Sequence, residues 1–447
     1  MKRLDFVIFY ESFNREYQNI YLLKRELESR GHSVKLSHFS QKDYYDTMKH
    51  CQPSVVVCPW LRYNENVFRY TSFRHPIKAL VNLQWEQVYN NLSIREGLTR
   101  STGEALKYIH LCWGENSQKR LVESGAPQEN LPVVGGIHLD FCRKEFLDNL
   151  LPKEAVAEEF GFSAEKKLSL YISSFAYASY SPEEQKKFLE KYGNAFRPLF
   201  EVEEESKRLT LEWLREECLR DPDRIVVYRP HPAETVTKDL LSIEKEITNF
   251  LIISKYNIKQ WIHVSDVINM WFSTSVAEIF YMGKKCNILR PVPLPDDLEV
   301  EVMNGAEFIT SKEEFLRRTE NCSEGGFPVS AERIGNYYSV EDKYSFKRIA
   351  DVLENLLLSD YVCPSPEFSS EEKREFRKKK RSWMSGAHYF RFYEKTGLAL
   401  SRICPFGRRI LKNLENSVKS FSRFDYDGAE RSVDRVFEKV CKKVNEE

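Results

Sequence analysis

Arg229, His231 and Glu234 stand within one short stretch, Arg224-Ile225-Val226-Val227-Tyr228-Arg229-Pro230-His231-Pro232-Ala233-Glu234. A guanidinium and an imidazole this close can hold a phosphate, and a nearby carboxylate can orient one of them or accept a ligand hydroxyl. Pro230 and Pro232 lack an N–H and fix their own φ, so Pro232 and its neighbours keep the loop stiff. Each proline also pushes the residue before it, Arg229 or His231, towards extended backbone. A second group is Trp271-Phe272-Ser273-Thr274-Ser275-Val276-Ala277-Glu278. Ser273, Thr274 and Ser275 sit where a helix starts, and N–H groups there favour an anion. Glu278, about one turn further on, is placed to accept ribose hydroxyls. Ser173-Ser174 repeats the pattern. Each group also has a plainer reading, as a surface loop with an ion pair or an ordinary helix cap.

Strands must carry these groups. Arg224 to Tyr228 is an apolar, β-branched run of the kind buried in parallel sheets, and Leu168 to Ile172 precedes the serine pair. Further strands are expected at Leu4–Phe9, Val34–Leu36, Ser54–Cys58, Ala79–Leu83, Tyr108–Trp113, Leu131–Val134, Phe250–Ile253, Val267–Phe272 and Cys286–Leu289. A helix is expected over 15–30, with Ile20, Leu23 and Leu27 on one side and Gly31 as a left-handed cap. Ser181 to Asp223 reads as helices with solvated faces. The alternation of strand and helix is that of doubly wound sheets, in which ligands bind beyond the carboxyl ends of strands. Three domains are expected: residues 1–145, residues 146–370, and a helical extension over 371–447.

With 67 basic and 67 acidic residues in a chain of 447, the balance of charge does not point to nucleic acid. The content, 42% hydrophobic and 30% charged, is that of a soluble globular protein. No apolar run approaches the roughly 20 residues of a membrane span, and the start of the chain lacks a signal-peptide pattern. The ten cysteines show no Cys-x-x-Cys pair and no zinc spacing, and Cys58, Cys112 and Cys286 lie in apolar runs. A reducing cytoplasm is the expected setting. The segment 371–420 holds 14 Lys/Arg against 5 Asp/Glu, interleaved with aromatic residues. That composition suits an anionic membrane surface at the inner face, or helices packed back on the sheets with basic outer sides.

Arg229-Pro230-His231-Pro232-Ala233-Glu234, then Asp266-Val267-Ile268, Ser273-Thr274-Ser275-x-x-Glu278 and Gly283-Lys284-Lys285, resembles the donor half of GT-B glycosyltransferases. The chain is most similar to bacterial surface-carbohydrate (capsule and lipopolysaccharide) biosynthesis proteins, whose Arg-Pro-His-Pro motif is shared with Kdo and sialic acid transferases and CDP-glycerol glycerophosphotransferases. Glu11, Arg15-Glu16, Gly31 and the run from Trp113-Gly114 to Val134-Gly135-Gly136-x-x-Leu139-Asp140 extend the resemblance over about residues 4–295. Gly135-Gly136-Ile137-His138 departs from the Gly-Asn-Pro pattern of such proteins and leaves the role of His138 open.

The resemblance implies a GT-B-like fold, two Rossmann-like doubly wound domains facing a cleft. It implies a nucleotide-activated sugar, CMP-linked, held by the second half, with a glycan or lipid-linked acceptor against the first. Arg229 and His231 would meet the phosphate, Ser273 to Ser275 would cap it, and Glu278 would hold ribose or base. Without an Asp-x-Asp motif at a strand end, transfer would need neither metal nor cofactor. The base for the acceptor hydroxyl would be Glu11 or Glu86, either of which could instead pair with a nearby arginine. A CDP-glycerol-type phosphotransferase, a nucleotide-sugar 2-epimerase and a non-catalytic scaffold of polysaccharide assembly fit the same fold.

Overall fold

The computed structural model describes residues 1–39, 41–321, 325–381 and 425–444. Its strands fall into two sheets. In the first, β1 (Lys2–Tyr10), β2 (Val34–His38), β3 (Cys51–Cys58), β4 (Ala79–Asn82) and β5 (Ile109–His110) take the order β2-β1-β3-β4-β5. In the second, β6 (Lys167–Ile172), β7 (Arg224–Arg229), β8 (Phe250–Ile252), β9 (Val267–Met270), β10 (Asn287–Leu289) and β11 (Phe308–Ile309) take the order β11-β10-β9-β6-β7-β8. All the ladders are parallel. The reason lies in the strand sequences. Phe6 to Phe9 and Val226 to Tyr228 are wholly buried, and a strand covered on both faces reads as a continuous apolar run. The doubly wound α/β class expected from the alternation is the one observed.

Strand bounds differ from expectation chiefly where pairing is short. The stretch 108–113 forms only the two-residue β5, and 131–134 contributes a single bridge, Val133 to Cys112. β11 was not foreseen, because two residues leave no periodicity to read. Helix α1 (Phe13–Ser29) ends as expected: Gly31 has φ +90°, and its N–H and that of His32 bond to the carbonyls of Glu28 and Leu27.

Residues 1–87, 100–140 and 339–447 form one compact unit, and residues 88–99 and 141–338 the other. In the first unit, α2 (Asn64–Thr71) is covered by the helical stretch 370–381, whose Phe376 is buried against Phe68. Lys379 and Lys380 there bond back to α2 and the residue after it, to Glu65 at 2.6 Å and the Ser72 carbonyl at 2.8 Å. The rest of the basic aromatic stretch, 382–420, lies outside the described residues. In the second unit, the long helix α3 (Arg197–Arg220) lies against the sheet, and α4 (Val276–Tyr281) follows β9. Among the described residues no helix is long and apolar enough to cross a membrane.

Back in the first unit, α5 (Ser345–Leu358) and α6 (Tyr426–Val444) both pack against α1. α6 buries Val433, Val436, Phe437 and Val440, while Tyr17 bonds to Glu430 at 2.5 Å and Arg25 pairs with Asp434 at 2.7 Å. Burying one such side chain contributes roughly 1.5–3 kcal/mol. Deleting 425–447 is therefore expected to lower the thermal midpoint of the first unit by many degrees in calorimetry. An unchanged midpoint would show that α6 is not part of this core.

Candidate functional site

In each sheet the chain reverses its direction of travel once, and that is where ligands bind in doubly wound folds. The second sheet grows outward from β6 through β7 to β8, then resumes at β9 on the other flank, so its switch point lies between β6 and β9. Register aligns the carboxyl ends: Ile172 pairs with both Arg229 and Met270. Ser173-Ser174, Pro230–Glu234 and Trp271–Ser275 therefore leave one edge side by side, about 4.8 Å from strand to strand. Two bonds knit the three ends together, Ser173 N–H to the Arg229 carbonyl at 3.0 Å and Phe272 N–H to Ser174 Oγ at 3.1 Å.

Glu234 does not point outward. Its carboxylate is fully buried and accepts from Lys207 Nζ at 2.8 Å, Tyr228 OH at 2.7 Å, Ser173 Oγ at 2.5 Å and the His231 N–H at 3.2 Å. It ties the Pro-His-Pro loop to α3 and to the strand beneath. The His231 ring is exposed, and its Nδ1 accepts the Ala233 N–H at 3.1 Å, which directs Nε2 away from the loop. Pro230 is buried and Pro232 exposed. Arg229 donates to the carbonyls of Lys255, at 3.0 Å, and Tyr256. Burial lowers its pKa to about 10, so it stays cationic at neutral pH.

At the β9 end, Ser273 Oγ accepts the Ser275 N–H at 3.2 Å, and Thr274 is exposed. Glu278, on α4, is mostly buried beside Lys259 at 3.4 Å.

Helix α3 lies in the stretch 181–223, read as helices with solvated faces, and it has an inward side as well as a solvated one. One side of it is buried, and that side carries Glu203 and Lys207 between Phe200 and Leu211. Glu203 accepts the Tyr177 N–H at 2.8 Å, and burial pushes its carboxyl up to about 8. Leu199, Phe200, Leu211, Leu214 and Cys218 recur at helical spacing, and that stripe marked the side on which Glu203 and Lys207 would fall.

In the first sheet the switch point lies between β1 and β3. A cavity of about 310 Å³ opens there, lined among others by Glu11, Arg15, Trp60, Trp85 and Glu86. Both carboxylates considered as the base thus reach one cavity of this unit. Glu11 accepts the Trp60 indole N–H at 3.2 Å, whereas Glu86 pairs with Arg15 at 2.6 Å, both side chains about half exposed. Buried Glu16 accepts the Glu11 N–H at 2.8 Å, and burial raises its carboxyl to about 7. The indole N–H of Trp85 is buried without a hydrogen-bond partner among the described residues.

His138 is not among the residues lining this cavity; its ring packs on Trp113, centroids 4.5 Å apart. A Cβ on Gly136 would come within 2.5 Å of that ring, and Gly135, at φ +74°, sits too close to the Ser339 carbonyl for any side chain. Asp140, fully buried, accepts the N–H groups of Ser345 and Phe346, each at 2.9 Å, and so caps α5.

No protein-family model and no curated protein matches the sequence. Solved structures do. A UDP-N-acetylglucosamine 2-epimerase aligns with TM-score 0.50 at 12% identity, over 83% of this chain and 100% of that one. The wall teichoic acid polymerase TagF, in a form soaked with CDPG, aligns with TM-score 0.50 at 10% identity, over 79% and 88%. The fold is GT-B-like. At such identities the likeness extends to the fold and no further.

Two outcomes follow from the buried acids. Replacing Lys207 by Met strands the Glu234 carboxylate, which should cost about 3–5 kcal/mol in urea unfolding. Adding Glu234→Gln should recover part of that loss. Glu203 keeps its proton in the fold up to about 8 rather than 4.5. The folded state thus binds the extra proton between those values, and stability falls as pH rises through that window. Glu203→Gln should flatten the profile there, and an identical slope would contradict the burial of this carboxyl.

Proposed function

We propose that this protein is a glycosyltransferase of surface polysaccharide biosynthesis that moves a sugar from a nucleotide-activated, CMP-linked donor to a glycan acceptor. The observation that carries the reading is the alignment of three strand ends on one sheet edge, with Arg229, His231, Ser173-Ser174 and Ser273–Ser275 placed together. In this reading His231, through Nε2, and the Ser273–Ser275 turn meet the donor phosphate, Arg229 adds its charge, and Glu278 takes a ribose hydroxyl. Their role in transfer is to offset the negative charge that grows on the departing phosphate. Ser174 and Thr274 supply further hydroxyl donors.

The acceptor is assigned to the cavity of the first unit, where tryptophan faces and carboxylates suit a sugar. Glu11 is the proposed base, since Glu86 is engaged by Arg15 and Glu11 forms no ion pair among the described residues. Glu16 holds the Glu11 backbone and so sets where that carboxylate stands. The cytidine assignment rests on the Arg-Pro-His-Pro likeness to transferases with CMP- or CDP-linked donors.

The test is binding of CMP, CDP, UDP and GDP followed by thermal shift and calorimetry. A cytidine nucleotide should give the largest shift, because a ligand that binds only the folded state stabilises it by RT ln(1+[L]/Kd). His231→Ala should weaken that binding by about 1.5–3 kcal/mol, the loss of one charge-assisted bond, with the melting of the free protein unchanged. A preference for UDP would redirect the reading towards a UDP-sugar enzyme. Wild-type affinity in His231→Ala would remove the loop from the site.

A further inference from the structure

The second unit has a larger cavity that the phosphate edge does not use. It is about 760 Å³, within the range of small-molecule sites, and opens where the chain leaves β10 and β11. β10 lies next to β9 in the sheet, so this cavity begins one strand spacing, about 5 Å, beyond the turn that carries Ser273.

Its chemistry differs from that of the phosphate edge. Arg290 follows β10 and is buried, but its donors are all spent. Nε and one terminal nitrogen hold Glu299 at 2.7–3.1 Å, and the other bonds to the carbonyls of Leu289 and Trp271. No cation is left for an anion, and Asp296, exposed at the rim, has no cation within ion-pair distance among the described residues. Asn91 and Asn304 hydrogen-bond each other at 3.0 and 3.1 Å, and Asn91 also donates to the Asp296 carbonyl at 2.7 Å. That uses both N–H groups of Asn91 and one of Asn304. What remains is mostly acceptor: the second lone pairs of two carboxamides and the Asp296 carboxylate. Phe308 and Leu294 supply apolar surface. With its one lining cation spent on Glu299 and backbone carbonyls and a carboxylate at its rim, this lining disfavours the negative charge of a phosphate and suits a ligand with many O–H donors and C–H faces.

We propose that this cavity is a subsite for a neutral, hydroxyl-rich ligand, a sugar ring or a glycerol-like polyol, lying beside the phosphate-binding edge. The proposal rests on the reading of that edge as a phosphate site. The ligand has two sources, the group carried by the nucleotide or a free glycan acceptor, and the same lining would serve either.

Calorimetry and saturation-transfer NMR on the full chain separate them, with CMP, CDP, UDP, UDP-N-acetylglucosamine, CDP-glycerol, methyl N-acetylglucosaminide and glycerol as probes. Thr310→Trp fills the cavity from an exposed position, and Asn304→Ala removes one amide. Circular dichroism confirms that both variants fold. If the ligand is the carried group, one linked nucleotide binds wild type at least tenfold tighter than its bare form. Both variants then lose that increment and keep bare-nucleotide affinity. If the ligand is free, the glycoside or glycerol shows saturation transfer with UDP and CDP present, and both variants abolish it. Absence of both signals, or their persistence in both variants, overturns the proposal. Failure of every bare nucleotide to bind removes the phosphate reading instead, and the glycoside arm then decides the cavity by itself.

Discussion

The second unit depends on one buried carboxylate. The side chain of Glu234 is wholly buried, and four donors from three chain segments converge on it: a lysine from α3, a tyrosine from β7, a serine from the end of β6 and the loop's own N–H. A buried charge is tolerated only when paired and fully hydrogen-bonded, so these partners cannot move independently. The consequence is mechanical. The shape of the loop bearing His231 is set by Lys207 and not by the prolines alone, and the strand end at Ser173 is held in the same knot. Glu203, one turn earlier on α3, fixes the segment after Ser174 through the Tyr177 N–H. One helix therefore positions two of the three strand ends.

The first unit has a smaller counterpart. Glu16, in the opening turns of α1, reaches back to the N–H of Glu11 and determines where the residue after β1 points. Burial raises its pKa, and Arg15, 3.9 Å away and also held by Glu86 at 2.6 Å, offsets only part of that. In both units a buried acid shapes the loop at a switch point.

Distant parts of the chain complete each unit. Residues 88–99 lie between β4 and β5 of the first sheet yet belong to the second unit, where Asn90 bridges to Val300 and Arg95 pairs with Asp297 at 2.5 Å. Asp140 caps α5, two hundred residues later in the chain, and α6 covers α1 from the far end of the sequence. Each of these contacts is a polar or apolar group finding a partner that makes its burial tolerable.

The sequence by itself determined the elements that are continuous and locally encoded. Apolar β-branched runs marked most of the parallel strands, because a strand buried on both faces needs no alternation, and Gly31 marked its helix end because only glycine takes a left-handed turn without strain. It also placed Arg229, His231, Ser173 and Ser273 at strand ends, and the sheet order then set those ends side by side. Tertiary structure alone decided the rest. Nothing local distinguishes Glu234 from a solvated carboxylate, since its burial depends on Lys207, Tyr228 and Ser173 arriving from elsewhere. Nor does anything near Glu11 announce that Glu86 lines the same cavity, because a parallel sheet unites residues that its connecting helices hold far apart in sequence. The two residues of β11 and the docking of α6 belong to the same class. Their free energy comes from burial against distant partners, and that leaves only a faint imprint on the neighbouring residues.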